Sequence, residues 1–447
     1  MRMKCVQCNT DNILSHRTRY SGRCKNCNHP FVFDPSTIPD KWFAITDQLF
    51  KKAIADISSQ NMLFFTPKQF FYFINKRLKP RTLVNLWQWI SFYFLFGSFF
   101  LIFRVGIISV LLLVPITPNW LLELWILFIV YNVIWIGIFY KNSKSPHQGT
   151  GSRRINPKNL QILGIMILLT GLLLSLIDNS FPVYIAAAAL GLFSYWLGTS
   201  QKNRQHAFIE EFSVNQAHSD NWLQRWPTAN GPLEKLLPAP RQNALPASID
   251  PEVSAYSFDR AIICDSDEIA QFLIANNVHF ENNCAILSIS GYPQSIFDTV
   301  IEMLRRNADL KVYALHDANP AGVSLVHQLR TSPNWFANQQ VTILDLGISP
   351  RQILETRDMF VQQSQTMAQR ARQLPDVVRQ GLTAQELAWL NAGYFVELES
   401  FTPQKLLRVV NYGLAQSGDP QGNQGLILVD DNVGYGGDYV FVSDSFG

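Results

Sequence analysis

The sequence predicts an α/β domain on a parallel, doubly wound sheet, joined to an all-α region of four bilayer-length apolar stretches and a small cysteine-bearing segment. Three observations carry this reading. From about residue 260 onward, short apolar runs alternate with amphipathic ones. Between Trp89 and Gly198 lie four apolar stretches of spanning length. Four cysteines fall in two close pairs near the N-terminus.

Met1–Phe33 holds Cys5-x2-Cys8 and, fifteen residues later, Cys24-x2-Cys27. Two pairs at this spacing match a zinc ribbon (residues 1–33), in which two knuckles present four thiolates to one Zn²⁺. Four protein ligands leave no open position, so the ion is structural. Arg17, Arg19, Arg23 and Lys25 lie among these cysteines and either touch nucleic-acid phosphate or form a solvated face. Cys264 and Cys284 fall in or beside apolar runs, which suits buried thiols in a reducing compartment better than a disulfide framework.

Residues 40–81 read as a small helical module, with Phe43, Leu49, Phe50, Ile54 and Ile57 on one stripe and Phe70, Phe71, Ile74 and Leu78 on another. Thr66-Pro67 marks a helix start. Four transmembrane helices are expected within residues 86–200, at Trp89–Val114, Trp120–Tyr140, Leu160–Ile177 and Pro182–Gly198. Lys and Arg flank the inner ends and are missing from the two outer loops, so the positive-inside rule puts both termini in the cytoplasm. The expectation is therefore an integral membrane protein of a bacterial inner membrane, with the lipid bilayer as its first partner. Arg104 falls inside the first span, where an arginine is costly and marks function or snorkelling. Residues 201–258 read as a helical stalk and a Pro-rich linker.

Residues 259–415 carry the α/β pattern. Arg260–Leu273 (RAIICDSDEIAQFL), Ala285–Pro293 (AILSISGYP) and Val312–Gly322 (VYALHDANPAG) each run from a buried strand into a turn, two of them meeting acids. Open α/β sheets place ligands beyond the carboxyl ends of their strands, so Asp265 and Asp317 are candidate site residues. The bland alternative is that Asn319 caps a helix, Pro320 opens it and the acids are incidental. Residues 416–447 form a Gly/Asp-rich tail.

The order and spacing of these segments resemble the Toprim domain in the form found in the A-subunit of topoisomerase VI and its meiotic double-strand-break relatives. Leu344–Ile353 (LDLGISPRQI) fits the same pattern, and Leu382–Phe401 (LTAQELAWLNAGYFVELESF) is similar to the topoisomerase-VI-like nuclease component of the Wadjet plasmid-defence system. The resemblance covers about Asp259 to Leu414 and implies Mg²⁺ held by strand-end carboxylates for phosphodiester chemistry. It assigns that role to Asp265, Asp317 and Asn319. Asp265 stands where the family has Glu, Ser266 where it has Lys, and Asn319 where it has a second Asp. Exchanging Asp for Asn keeps an oxygen but removes a charge from a site for a hard cation; Asp267, Glu268 or Asp345 are candidate substitutes, and His316 a candidate phosphate contact. The family's upstream tyrosine motif is missing, which argues against a tyrosyl topoisomerase.

Charge is divided along the chain. Residues 1–204 hold 22 Lys/Arg against 7 Asp/Glu, and residues 205–447 hold 15 against 27. An acidic α/β half is a poor stand-alone DNA binder, since phosphate contacts supply most non-specific affinity. Two readings follow. One is a membrane-anchored, Mg-dependent nuclease-like protein of DNA processing or defence, acting with nucleic acid and a protein partner or as a homo-oligomer. The other is a non-catalytic membrane scaffold or sensor that uses the zinc ribbon and the Toprim-like fold to bind a partner.

Overall fold

The computed structural model describes residues 3–33, 45–78, 120–144, 150–178, 181–204, 212–240, 258, 260–306, 310–337, 339–355 and 359–416. Arg104, the first expected span, much of the linker and the tail lie outside them. The chain divides into two compact units, Met1–Lys79 with Phe212–Gly447, and Pro80–Glu211.

At the N-terminus, Met3–Lys4 (β1) pairs antiparallel with Asp11–Asn12 (β2), and Leu14–Arg19 (α1) follows. The two cysteine pairs form turns with matching bonds. Asn9 N–H donates to Cys5 O and Asn28 N–H to Cys24 O, both at 3.0 Å. Asn9 and Asn28 sit at φ 56° and 58°, a region that asparagine tolerates better than most residues. Asp47–Ile57 (α2) is capped by Thr46, whose hydroxyl accepts the Leu49 N–H at 3.2 Å. Pro67–Leu78 (α3) starts with a reciprocal cap: the Gln69 N–H donates to Thr66 Oγ1 at 3.1 Å, and the Thr66 N–H to Gln69 Oε1 at 3.0 Å.

The second unit contains three helices among the described residues, Trp120–Lys144 (α4), Thr150–Asp178 (α5) and Phe181–Arg204 (α6). Ile136, Phe139, Leu160, Leu163, Met166 and Ile167 form its buried cluster. None of the described helices is long and apolar enough to cross a membrane. This corrects the expected transmembrane region, and with it the integral membrane location, the orientation of the termini and the lipid partner. Hydropathy windows counted apolar residues without regard to their partners. In the structure part of that apolar surface closes helix on helix, and polar side chains interrupt it. Asn132 donates to Phe128 O at 2.9 Å, buried Ser194 to Leu160 O at 2.9 Å, and Gln161 to Thr199 Oγ1 at 3.0 Å. Helix α5 also begins with the polar run Thr150–Lys158 and contains Pro157.

In the first unit, Gln216–Arg225 (α7) packs with α2 and α3 around an aromatic core of Phe33, Phe50, Phe70, Trp222 and Trp226. The α/β part begins at Arg260–Cys264 (β3) and continues through Asp267–Ala275 (α8), Cys284–Ser288 (β4), Gln294–Arg306 (α9), Lys311–Leu315 (β5), Pro320–Val323 (α10), Leu325–Thr331 (α11) and Thr342–Asp345 (β6). All strand pairs are parallel, in the order β4-β3-β5-β6. Successive side chains alternate between faces. Ile262, Cys264, Ile286, Tyr313 and Leu315 join one buried cluster with Phe272 and Leu273 of α8. Ala261, Ile263, Leu287, Val312 and Ala314 join another with Leu304 of α9 and Leu329 of α11. The sheet is therefore covered on both sides, consistent with a Toprim-like fold.

The stretch from Pro350 to Gln373 does not form one continuous helix. Pro350–Glu355 (α12) and Gln365–Arg372 (α13) are separated by Gln362–Gln363 (β7), which pairs antiparallel with Tyr394–Phe395 (β8). Buried Met359 and Val361 join the core at the break. Ala384–Asn391 (α14), capped by Thr383 and Glu386, and Pro403–Gln416 (α15) complete the unit.

Gly322 and Gly347 close around His316. A Cβ on Gly347 would come within 2.3–2.4 Å of three His316 ring atoms, and one on Gly322 would clash with the Asp317 carbonyl. Gly347→Ala should therefore cost about 1–3 kcal/mol in denaturant unfolding, the usual range for overpacking. Gly381→Ala, whose added methyl meets nothing within 4 Å, serves as the control and should stay near neutral.

Candidate functional site

Strands β3 and β5 run side by side in register, Cys264 opposite Leu315, so the residues just past their ends meet at one edge. Asp265 and Asp317 occupy that edge. The Asp317 N–H donates to Asp265 Oδ2 at 2.8 Å, and Leu398 N–H donates to Asp317 Oδ1 at 2.7 Å. The other Asp265 oxygen, Oδ1, is buried and takes no hydrogen bond among the described residues. Burial pushes both carboxyls above the usual carboxylate range, and their mutual repulsion raises Asp317 further. A proton or a cation has to relieve such a pair.

Asn319 is brought to the same place with a different task. Its Oδ1 accepts the Gly322 N–H at 2.8 Å and caps α10, while its Nδ2 donates to Asp317 Oδ2 at 3.3 Å. The amide oxygen is thus committed to the helix, and the amide nitrogen stabilises charge on Asp317.

Neither His316 nor Asp345 faces the site as expected. The His316 ring is buried, with Nδ1 at 2.8 Å from Asp317 O and Nε2 at 3.0 Å from Asp345 Oδ1. A carbonyl and a carboxylate both accept, so this arrangement favours the protonated ring, in which both nitrogens donate. Burial alone would lower its pKa, but Asp345 outweighs that and raises it. Asp345 also accepts the Gly347 N–H at 2.9 Å. Asp267 is bound by the Ser290 hydroxyl, and Glu268 is exposed.

Further carboxylates approach from another segment. Val396 bridges to Ala318, which brings Glu397 and Glu399 to the strand ends. The Glu397 charge raises the pKa of both Asp265 and Asp317. Helix α3 answers these acids. Lys68 Nζ lies 2.7 Å from Glu397 Oε1 and 3.6 Å from Glu399 Oε2, Thr66 Oγ1 donates to Glu399 Oε1 at 2.6 Å, and the Tyr72 hydroxyl donates to Glu397. Tyr72 is fully buried, with burial and Glu397 raising its pKa, so it orients Glu397 and is not a poised nucleophile. A cavity of 610 Å³ opens beside this group, with Lys68, Glu268, Asp317 and Glu399 in its wall.

Sequence reasoning missed Glu397, Glu399, Lys68 and Tyr72. Two acids in the run VELESF were the visible signal, but nothing local tied them to Asp317 or to α3.

The four cysteines also converge. Cys5 Sγ is 3.6 Å from Cys27 Sγ, Cys8 Sγ is 3.5 Å from Cys24 Sγ, and all four sulfurs lie within 4.8 Å of one another. A bond from Thr10 draws the Cys8 thiol down to about 5. A backbone bond at His29 would lower Cys27, but burial and the other cysteines hold it up at about 12. This cluster can hold a metal ion. Of the basic residues nearby, Arg17 is buried, with Nη1 3.0 Å from Met3 Sδ, whereas Arg19, Arg23 and Lys25 are exposed.

Residues 261–411 match the family model for the Toprim domain of the topoisomerase 6 A-subunit/Spo11 family. This segment is a Toprim-like domain similar to that family's. The match does not extend to the N-terminal cysteines, so the expected zinc ribbon is corrected to a four-cysteine, metal-capable cluster. No curated protein matches the chain.

The His316–Asp345 pair is testable by double-mutant cycle. With Asp345 40 % exposed, His316→Gln should cost about 2 kcal/mol, less than a fully buried pair. Asp345→Asn in the His316→Gln background should cost less than in wild type. Strict additivity in urea unfolding would show that the two do not interact.

Proposed function

We propose that the Toprim-like domain is a divalent-metal site for processing nucleic acid, with Asp265 and Asp317 as the primary ligands and Glu397 as the third carboxylate. The observation that carries this is the half-buried pair at the strand ends, with the buried Asp265 Oδ1 taking no hydrogen bond among the described residues. Mg²⁺ and Mn²⁺ prefer hard, charged oxygens, which these three carboxylates offer, although among the described residues only the four cysteines already lie close enough together to hold an ion. A bound ion would supply Lewis-acid stabilisation of charge on a phosphoryl oxygen. The remaining roles belong to the chain. Asn319 holds Asp317 through its amide nitrogen, Tyr72 holds Glu397, and the Leu398 N–H fixes the direction of Asp317. The family similarity supports nucleic acid as the class of substrate.

The cysteine cluster, on this reading, binds one structural Zn²⁺. Four thiolates at these separations suit tetrahedral coordination. Exposed Arg19, Arg23 and Lys25 would then offer phosphate contacts beside it.

Two measurements test these assignments. Calorimetry with Mn²⁺ should detect binding in the wild type, with Asp317→Ala reducing affinity at least tenfold and Asn319→Asp increasing it. Wild type that binds neither Mn²⁺ nor Mg²⁺ rules out the metal reading and leaves a non-catalytic, partner-binding domain. For the cysteines, thiol displacement should release one zinc per chain. Cys24→Ser should lose that zinc and unfold the N-terminal segment, because binding energy here is folding energy.

A further inference from the structure

We infer that Lys68, carried on the N-terminal helix α3, is the residue that contacts a nucleic-acid phosphate at this site. The inference rests on the proposed metal reading and names one residue that holds the substrate.

Charge is the first constraint. Asp220, Glu268, Asp317 and Glu399 line the cavity, and Lys68 is the one cationic side chain among its described lining residues. A phosphate entering such a cavity meets repulsion from the acids unless cations stand between. Metal at the strand ends would offset part of that field; the other positive charge on the wall is Lys68.

Geometry then sets what Lys68 can do. Its ammonium has three donors, and two carboxylates, Glu397 at 2.7 Å and Glu399 at 3.6 Å, lie on one side. The side chain remains 31 % exposed, so the group is not enclosed by that pair. It faces a cavity whose wall also contains Asp317.

The position is also rigid. Thr66 binds Glu399, and Thr66 with Gln69 closes the first turn of α3. One residue earlier, Phe65 pairs with Leu236: its N–H donates to Lys235 O and its O accepts from the Leu237 N–H, both at 2.9 Å. The Phe64 N–H donates to Asn276 Oδ1 at 2.9 Å, at the end of α8. A surface ion pair needs none of this support. A preorganised phosphate contact does, because a misplaced donor loses most of its effect.

The test uses the full chain, Mn²⁺ and a fluorescein-labelled single-stranded DNA 20-mer, read by anisotropy across a KCl series. Lys68→Met should weaken binding roughly tenfold near 0.1 M salt, the loss of one charge-assisted hydrogen bond. It should also make the slope of log affinity against log salt shallower by about 0.7, the value for one phosphate contact on a single strand. Lys68→Arg should restore the slope. Loss of a purely structural pair would lower the melting temperature and leave the slope of the folded variant unchanged, which would overturn the inference while the metal reading stands. If Lys68→Met does not fold, Lys68→Gln keeps a donor toward Glu397 and faces the same criterion. A wild type that binds Mn²⁺ but not the 20-mer overturns the inference and the nucleic-acid reading together.

Discussion

Asp265 and Asp317 stand half-buried on neighbouring strand ends, where desolvation raises the cost of charge on either carboxylate. The surrounding backbone answers this in detail. Asp317 turns its own N–H toward Asp265, and the Leu398 N–H turns toward Asp317. Asn319 gives its oxygen to the helix and its nitrogen to Asp317. The bridge between Ala318 and Val396 locks the two segments that carry these groups. Even so, one Asp265 oxygen has no donor among the described residues. Buried carboxylate oxygens in folded proteins seldom go unmet, and the exceptions concentrate where a ligand completes the set.

The same constraint explains why the N-terminal helix belongs to this unit. Glu397 and Glu399 bring two further acids to the edge, and a carboxylate cluster without counter-charge would raise every pKa within it. Lys68 supplies the counter-charge, while Thr66 and the Tyr72 hydroxyl fix where it acts. The apolar core of α2, α3 and α7 therefore has electrostatic as well as packing consequences. It holds a cation, Lys68, against an acidic sheet edge.

Much of the α/β layout was legible in the residues. Strands such as Ile262–Cys264 and Val312–Leu315 are continuous apolar runs, as strands buried on both faces must be. Asp265 and Asp317 could be placed because each follows its strand directly. Other contributors could not be placed so. Lys68 and Glu397 stand 329 residues apart, and no local pattern encodes a contact across that distance. The break between α12 and α13 is not legible either, because Met359–Val361 fits a helical stripe and a core-filling turn equally well. The apolar stretches of the second unit misled for a related reason. Hydropathy sums composition, whereas the fate of a helix depends on what its polar side chains bond and what its apolar face meets.

The Asn at position 319 illustrates how a site can keep its charge while moving its source. Read in sequence, Asn for Asp subtracts a carboxylate from a pattern that needs hard anionic oxygens. Read in space, the amide performs two jobs that a carboxylate cannot combine, since it accepts from the α10 backbone and donates to Asp317. An aspartate there would cap the helix equally well but would press a third negative charge on a pair already strained by repulsion. Glu397 adds its carboxylate from the far side instead, where Lys68 and Tyr72 stand beside it. The acids near the strand ends are thus spread over two segments, with Lys68 as counter-charge and the Tyr72 hydroxyl as a neutral donor.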